Sequence, residues 1–329
     1  MAGAVTVRDV ARVANVSPAT VSRVLTTPHI VAPLTRQRVL EAVDHMGYRP
    51  VGSAGVGKVR TGYLGLVVPD LENPYFASVT KGVQARALAR GFFALVADSD
   101  EDPHAERDLV EQLSTQVDGL ILCSARMSDE DLLACAEGSS TVLVNRRLTG
   151  VPSLHVDDAQ IIRQALEHLY ALGHRHVAYA GGPTGSWSDR QRREGIETVL
   201  ADLAGMTVSS LGAFAPVFGG GQSAADLAVA SHATAVLAYN DLIALGVLSR
   251  LRSRGIDVPT QMSVIGIDDI SAASLVSPAL TTVRAPLRRV GRVAVNLLLD
   301  VIAAGEGYRP PEEIQVQLVV RESTTVPSS

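Results

Sequence analysis

Arg23 is the side chain with the clearest chemical use in the first sixty residues. With Ala19, Thr20 and Ser22 it occupies one side of a short helical segment, leaving small or hydrogen-bonding groups around a single fork-shaped cation. Such a surface fits a DNA major groove, where a guanidinium can donate two hydrogen bonds to guanine O6 and N7. A second set of candidates lies far downstream: Tyr75 and Phe76, Asp98, Asn145 with Arg146, Trp187 with Arg190, Asn240 with Asp241, and Asp268 with Asp269. Aromatic faces combined with Arg, Asn and Asp suit a polyhydroxylated ligand of the sugar or nucleoside class, since rings stack and charged groups bond hydroxyls. Each has a plainer reading: Asp or Asn after a strand is often a helix N-cap, Tyr75 and Phe76 fit a core, and Arg190 fits a surface ion pair. His168, His174 and His176 sit near one turn without zinc-ligand spacing, so no metal is expected and the three are read as solvent-facing. The two cysteines, Cys123 and Cys135, make no disulfide framework and fit a reducing cytoplasm.

These residues need elements to position them. Thr6 can cap a helix whose apolar positions Val7, Val10, Ala11 and Ala14 recur at helical spacing. Asn15-Val16 makes a short turn, Ser17 supplies a second N-cap, and Pro18 takes the first helical position, where its missing N–H is not needed. Val21, Val24 and Leu25 give the second helix one apolar side, and Val39, Ala42, Val43 and Met46 place a third across the pair, as in a helix-turn-helix. From Tyr63 the chain alternates strands and helices. Strands are expected at Tyr63–Val68, Phe92–Ala97, Gly119–Cys123, Thr141–Asn145, His176–Ala180, Ala235–Ala238 and Ser263–Ile267, with helices between them, one starting at Gln222 after an unusual Phe218-Gly219-Gly220-Gly221 loop. This pattern implies two halves, each a parallel sheet covered by helices, with the candidate ligand residues at the carboxyl ends of the strands. Helix Pro286–Ala304 and strand Glu313–Arg321 are expected to return to the first half.

Charge divides the chain in the same place. Residues 1–60 hold eight Arg or Lys against three Asp or Glu, a net of +5, while the whole chain carries −5. A basic end on an acidic body suits binding of a polyanion by that end. Hydrophobic residues make up 47%, enough for sizeable cores, yet no run approaches the roughly 18 apolar residues that span a membrane. The opening residues have no basic start followed by an apolar run, so export is not expected. No Gly-x-Gly-x-x-Gly follows the first strand, no Walker loop appears and no nucleophile–base pair stands out, which argues against an enzyme.

Val10-Ala11, the run from Val16 to Leu25, Thr35-Arg36 and Gly47-Tyr48-Arg49-Pro50 resemble the headpiece of the lactose/galactose repressor family. The body resembles the same family through Val67-Val68-Pro69-Asp70, Asn73-Pro74-Tyr75-Phe76, Leu172-Gly173-His174-Arg175, Asn240-Asp241 and Gly266-Ile267-Asp268-Asp269, and through it the periplasmic sugar-binding proteins. The resemblance implies a small all-α helix-turn-helix headpiece (1–50), a linker (51–61), and an α/β sensor (62–329) of two Rossmann-like subdomains of the periplasmic-binding-protein-like kind. Their expected limits are about 62–157 with 286–321, and about 158–284 with 322–329. It implies a cytoplasmic homodimeric repressor that binds pseudo-palindromic double-stranded DNA and answers to a sugar or nucleoside, with no cofactor. Pro18, Ala19 and Arg23 would read bases, Thr6, Ser17, Thr20 and Ser22 would hold phosphates, and Tyr48 and the linker residue Val56 join the DNA-binding set. The family's effector contacts fall by position on Phe76, Asp98, Arg146, Gln160, Arg190, Phe214, Asn240 and Asp268. Two departures stand out: Ala32 replaces the usual capping Ser, and Gly52, Gly55 and Gly57 disfavour the hinge helix by about 1 kcal/mol each relative to Ala. A solute-binding protein for transport, or a DNA-binding protein answering to a protein co-regulator, are the competing readings.

Overall fold

The fold is described from a computed structural model, for residues 6–26, 31–46, 60–304 and 314–328. Met1–Thr61 and Gly62–Ser329 are separate compact units.

In the first unit, helices α1 (Val7–Val13), α2 (Pro18–Thr26) and α3 (Pro33–Met46) close around Val10, Ala11, Ala14, Val21, Val24, Val39 and Ala42. Thr6 and Asp9 cap α1 reciprocally: the Thr6 backbone N–H and hydroxyl donate to the Asp9 carboxylate at 3.0 and 2.6 Å, while the Asp9 N–H donates back to Thr6 Oγ1. Asn15 takes the left-handed turn between α1 and α2 with φ of 52°, a conformation its short polar side chain tolerates. Ser17 then caps α2, its Oγ accepting from the Thr20 N–H at 3.1 Å.

In the second unit, β1 (Tyr63–Val68), β2 (Phe93–Asp98), β3 (Gly119–Cys123), β4 (Thr141–Val144) and β5 (Ser153–Leu154) form a parallel sheet ordered β2-β1-β3-β4-β5. A second sheet is ordered β11-β10-β9-β8-β6-β7, from β6 (His176–Gly181), β7 (Thr207–Ala213), β8 (Ala235–Ala238), β9 (Ser263–Asp268), β10 (Thr281–Arg284) and β11 (Gln317–Val319). Helices α4 (Pro74–Ala89), α5 (Pro103–Ser114) and α6 (Asp129–Gly138) cover the first sheet; α7 (Asp158–Ala171), α8 (Trp187–Leu200), α9 (Phe218–Ala230) and α10 (Asp241–Ser253) cover the second. Alternate strand residues point to opposite faces, so Leu64, Leu66 and Val68 enter one core and Val67 another, and buried apolar runs result.

Helix α11 (Leu287–Ala304) returns to the first half as expected, with Arg86 Nε on α4 donating to Asn296 Oδ1 at 2.7 Å. The strand after it does not. Gln317–Val319 pairs antiparallel with β10 at the edge of the second sheet, Leu318 opposite Val283. Without β11, β10 would present an unpaired edge, and Gln164 of α7 pins the new strand by accepting from the Leu318 N–H at 2.7 Å. A second correction concerns the glycine run, which is the first turn of α9 and not a loop. A Cβ on Gly221 would stand 2.0 Å from the Ile243 carbonyl, and one on Gly246 2.0 Å from that of Phe218, so glycines on both helices let α9 and α10 approach. A third concerns the histidines. His174 is buried, its ring held by Thr234 Oγ1 at 2.8 Å, Ser263 Oγ at 3.1 Å and the Thr325 carbonyl at 2.9 Å, while His168 and His176 are half-buried. These bonds fasten the C-terminal segment to the second sheet. Nothing in the local sequence announces strands β5, β7 and β10. They are short or polar, and β7 is an exposed edge.

Candidate functional site

The headpiece turns Val21 and Val24 inward and leaves Pro18, Ala19, Ser22 and Arg23 exposed along α2. Thr6 and Ser17, also exposed, already cap helices, and the half-buried Thr20 shares a 2.8 Å hydrogen bond with Ser17 Oγ. A helix presenting small groups beside one exposed guanidinium can enter a groove without steric obstruction. Tyr48 and Val56 lie outside the described residues.

In the body, residues that follow or end parallel strands of both sheets, among them Arg146 after β4 and Gly182 after β6, line a shared cleft. Asn73 caps α4 and sets Tyr75 and Phe76 in its first turn, ring centroids 5.0 Å apart and edge to face. The Tyr75 hydroxyl accepts from Asn145 Nδ2, and burial holds its pKa well above the usual value. Across the cleft Asp268 ends β9 with φ of 119°, a strained conformation for a residue with a Cβ. Its carboxylate has no hydrogen-bond partner among the described residues, and burial, then the nearby Asp241, raises its pKa far above the carboxylate range. Asp241 is itself pushed up to about 7 by burial, while its oxygens accept from Thr282 Oγ1 at 2.6 Å and the Ile270 N–H at 2.9 Å. The next residue, Asp269, is gripped by Arg284 at 2.5 Å and Arg321 at 2.6 Å, where the chain crosses between halves.

Other expected residues have structural duties. Asp98 is exposed, its oxygens accepting from the Leu71 and Asp100 N–H groups at 2.8 and 2.9 Å. Asn240 caps α10, accepting from Ile243 at 2.9 Å and donating to the Pro216 carbonyl at 2.9 Å, which occupies both ends of its amide. Phe214 is half-buried against the second core, Gln160 is exposed on the first turn of α7, and Trp187 meets His155 edge-on at 5.8 Å. Arg146 and Arg190 line one cavity of about 600 Å³ between the halves, Arg146 buried and Arg190 exposed.

Sequence reasoning missed Arg192, two residues beyond Arg190. Buried with it on α8, Ile196 and Val199 follow at i+4 and i+7, a helical stripe that marks Arg192 as inward-facing. Its Nε donates to Asp158 at 2.8 Å, an Nη donates to the Tyr239 carbonyl, and the guanidinium lies 4.6 Å over the Tyr239 ring. Although burial opposes its charge, Asp158 raises the Arg192 pKa; burial likewise raises that of Asp158 against the pull of Arg192. Arg192, Asp268 and Tyr75 thus form one electrostatic cluster spanning the two halves.

Residues 6–51 match the family model described as bacterial regulatory proteins, lacI family, and residues 166–324 match a periplasmic binding protein-like domain. The chain is 35% identical over 304 residues to the HTH-type transcriptional regulator GalS of Salmonella typhimurium, covering 90% of this chain and 89% of that protein. It belongs to the lacI family of bacterial regulatory proteins. Another member, the HTH-type transcriptional repressor PurR of Haemophilus influenzae, is 33% identical over 97% of this chain and 98% of its own. Among solved lacI-family structures, the Lac repressor dimer bound to operator and the anti-inducer ONPF superposes with a TM-score of 0.73 at 27% identity, over 98% of this chain and all of that one.

Proposed function

We propose that this lacI-family chain is a sequence-specific repressor of transcription, whose operator affinity is set by a sugar or nucleoside bound between the halves of its α/β body. The observation that carries the reading is the pairing of two surfaces in one chain: an exposed α2 face around Arg23, and a cleft where buried Asp268, Arg192 and Tyr75 converge. Arg23 and Ala19 read base edges, while Ser17, Thr20, Ser22 and Thr6 meet phosphates. In the cleft, Asp268 accepts from ligand hydroxyls, Arg192 and Arg146 donate to them, and Phe76 and Trp187 supply apolar faces. Regulation in the cytoplasm, and not catalysis, is the role assigned.

Ligand held by both walls draws the halves together about the crossings near Asp157 and Arg284 and so shifts the paired headpieces on DNA. Pairing itself is favoured by an apolar face on the second half. Leu275 there is 82% exposed, and Phe218 borders a groove lined by Leu245, Leu248 and Val276. A second copy covering that face gives a homodimer matched to a pseudo-palindromic operator. The domain limits are a headpiece of 1–50, a linker of 51–61, a first half of 62–157 with α11, and a second half of 158–284 with β11 and the C-terminal segment.

The test is selection of duplexes from a random pool by the full chain, followed by anisotropy titration with and without a panel of sugars and nucleosides. A palindromic consensus whose affinity changes with one ligand class is expected. Equal binding to selected and random duplexes would refute the reading.

A further inference from the structure

Besides the cleft floor around Asp268, a second space of about 600 Å³ opens between the halves, walled by Arg126 and Arg146 on one side and by Arg190 and Arg193 on the other. Unlike the floor, it has no aromatic ring in its lining among the described residues. A sugar ring finds no stacking partner there, so the chemistry on offer is charge.

Three of the four guanidinium groups have carboxylate partners. Arg126 holds Glu101 at 2.5 Å, Arg193 holds Asp189 at 2.6 Å, and Arg146 spends one Nη on Asp129 at 2.6 Å. The rest of Arg146 is the anomaly. Its side chain is only 7% exposed, yet its buried Nε–H has no acceptor. An unpaired buried donor costs about 1–3 kcal/mol, more when charged, and signals an acceptor that completes the site. On the facing wall Arg190 is exposed, and its guanidinium has no carboxylate or hydrogen-bond partner among the described residues. Two helices also start at this space, since the lining residues Ser128 and Ser186 are the N-caps of the ten-residue α6 and the fourteen-residue α8. Each helix N-terminus carries about half a positive charge. Against this stand Glu194 and Glu197, on the outer length of α8, and Asp189, which is already paired.

We infer that the ligand carries an anionic oxyacid group, a phosphate or a carboxylate, held between Arg146 of the first half and Arg190 of the second. The inference rests on the reading of the cleft as the ligand site and names the charge of what it takes. A neutral ligand leaves two guanidinium groups facing each other across the space. An oxyacid group satisfies the Arg146 donor, attracts Arg190 and links the walls, so closure follows from charge neutralisation.

The sole tryptophan, Trp187, is the first residue of α8 and reports on this space by its fluorescence. The full chain is titrated with inorganic phosphate and with acetate at ionic strength held constant by NaCl, then with glucose, glucuronate, glucose 6-phosphate, adenosine and AMP. A saturable response to phosphate or acetate is expected, with anionic members binding tighter than their neutral counterparts by about tenfold or more, the worth of one charge-assisted hydrogen bond. Preference for phosphate identifies a phosphorylated ligand and preference for carboxylate a sugar acid. Arg146→Met and Arg190→Met should each abolish the anion preference, whereas Arg90→Met, which removes a charge at the far end of α4, should not. Arg190 is exposed, so its variant folds even if the Arg146 variant does not. No saturable anion response in the wild-type chain, or an anion preference in both variants as strong as in the wild type, overturns the inference. Tight binding of glucose or adenosine without anion preference overturns it while leaving the ligand cleft standing. Anion binding that leaves operator affinity unchanged instead removes the regulatory reading.

Discussion

Removing Arg192 isolates the energetics of the cleft floor. In Arg192→Met the Asp158 carboxylate loses the guanidinium that holds it at 2.8 Å, with both side chains less than 10% exposed, and the Tyr239 carbonyl loses a donor. Breaking a buried ion pair from one side destabilises by about 3–5 kcal/mol, because the remaining charge is neither solvated nor paired. At about 2 °C per kcal/mol for a domain of this size, melting should fall by about 6–10 °C. Adding Asp158→Asn removes the stranded charge, so the double variant should recover to within about 1–2 kcal/mol of wild type, since replacing both partners is far milder than removing one. Urea unfolding followed by Trp187 fluorescence measures all three proteins, with the headpiece, which has its own core, watched separately through DNA binding. The reasoning fails if Arg192→Met unfolds within 1 kcal/mol of wild type, or if the two changes destabilise additively.

Arg23→Ala should weaken binding to a selected operator by about 1–3 kcal/mol and relax preference at one base pair per half-site, whereas Arg36→Ala should weaken all duplexes alike; anisotropy on specific and random DNA separates the two. Burial lowers the His174 and His168 pKa values below the ordinary 6.5, so the neutral rings belong to the fold. Their contribution is complete above pH 6.5 and is lost as pH falls through the folded values; His174→Gln should flatten that acid-side loss in urea titrations between pH 5 and 7. Leu275→Glu should shift the chain from dimer to monomer in sedimentation velocity, with operator affinity falling alongside.

The sequence alone determined what local chemistry controls. Thr6, Asn15, Ser17 and Pro18 mark the start of α1, the turn and the start of α2 because capping and turn geometry depend on neighbours a few residues away. The apolar runs of β1, β3 and β8 announce buried parallel strands for the same reason. Tertiary structure decided whatever depends on partners distant in the chain. Strands from both sheets reach one cleft only after the two halves fold against each other, so nothing near Asp268 in sequence foretells Arg192 or Tyr75 as its neighbours. Gly219-Gly220-Gly221 resembles a loop until the α10 backbone at Ile243 leaves no room for a side chain on Gly221. β11 joins the second sheet because β10 offers an open edge there, a need invisible from residues 313–321 themselves. His174 reads as polar and exposed, yet it is buried because Thr234, Ser263 and Thr325, each at least 60 residues away, satisfy its ring. Arg190 and Arg192 lie two residues apart, about half a helical turn, and helical phase against a buried stripe is what sends one to the rim and the other to the floor.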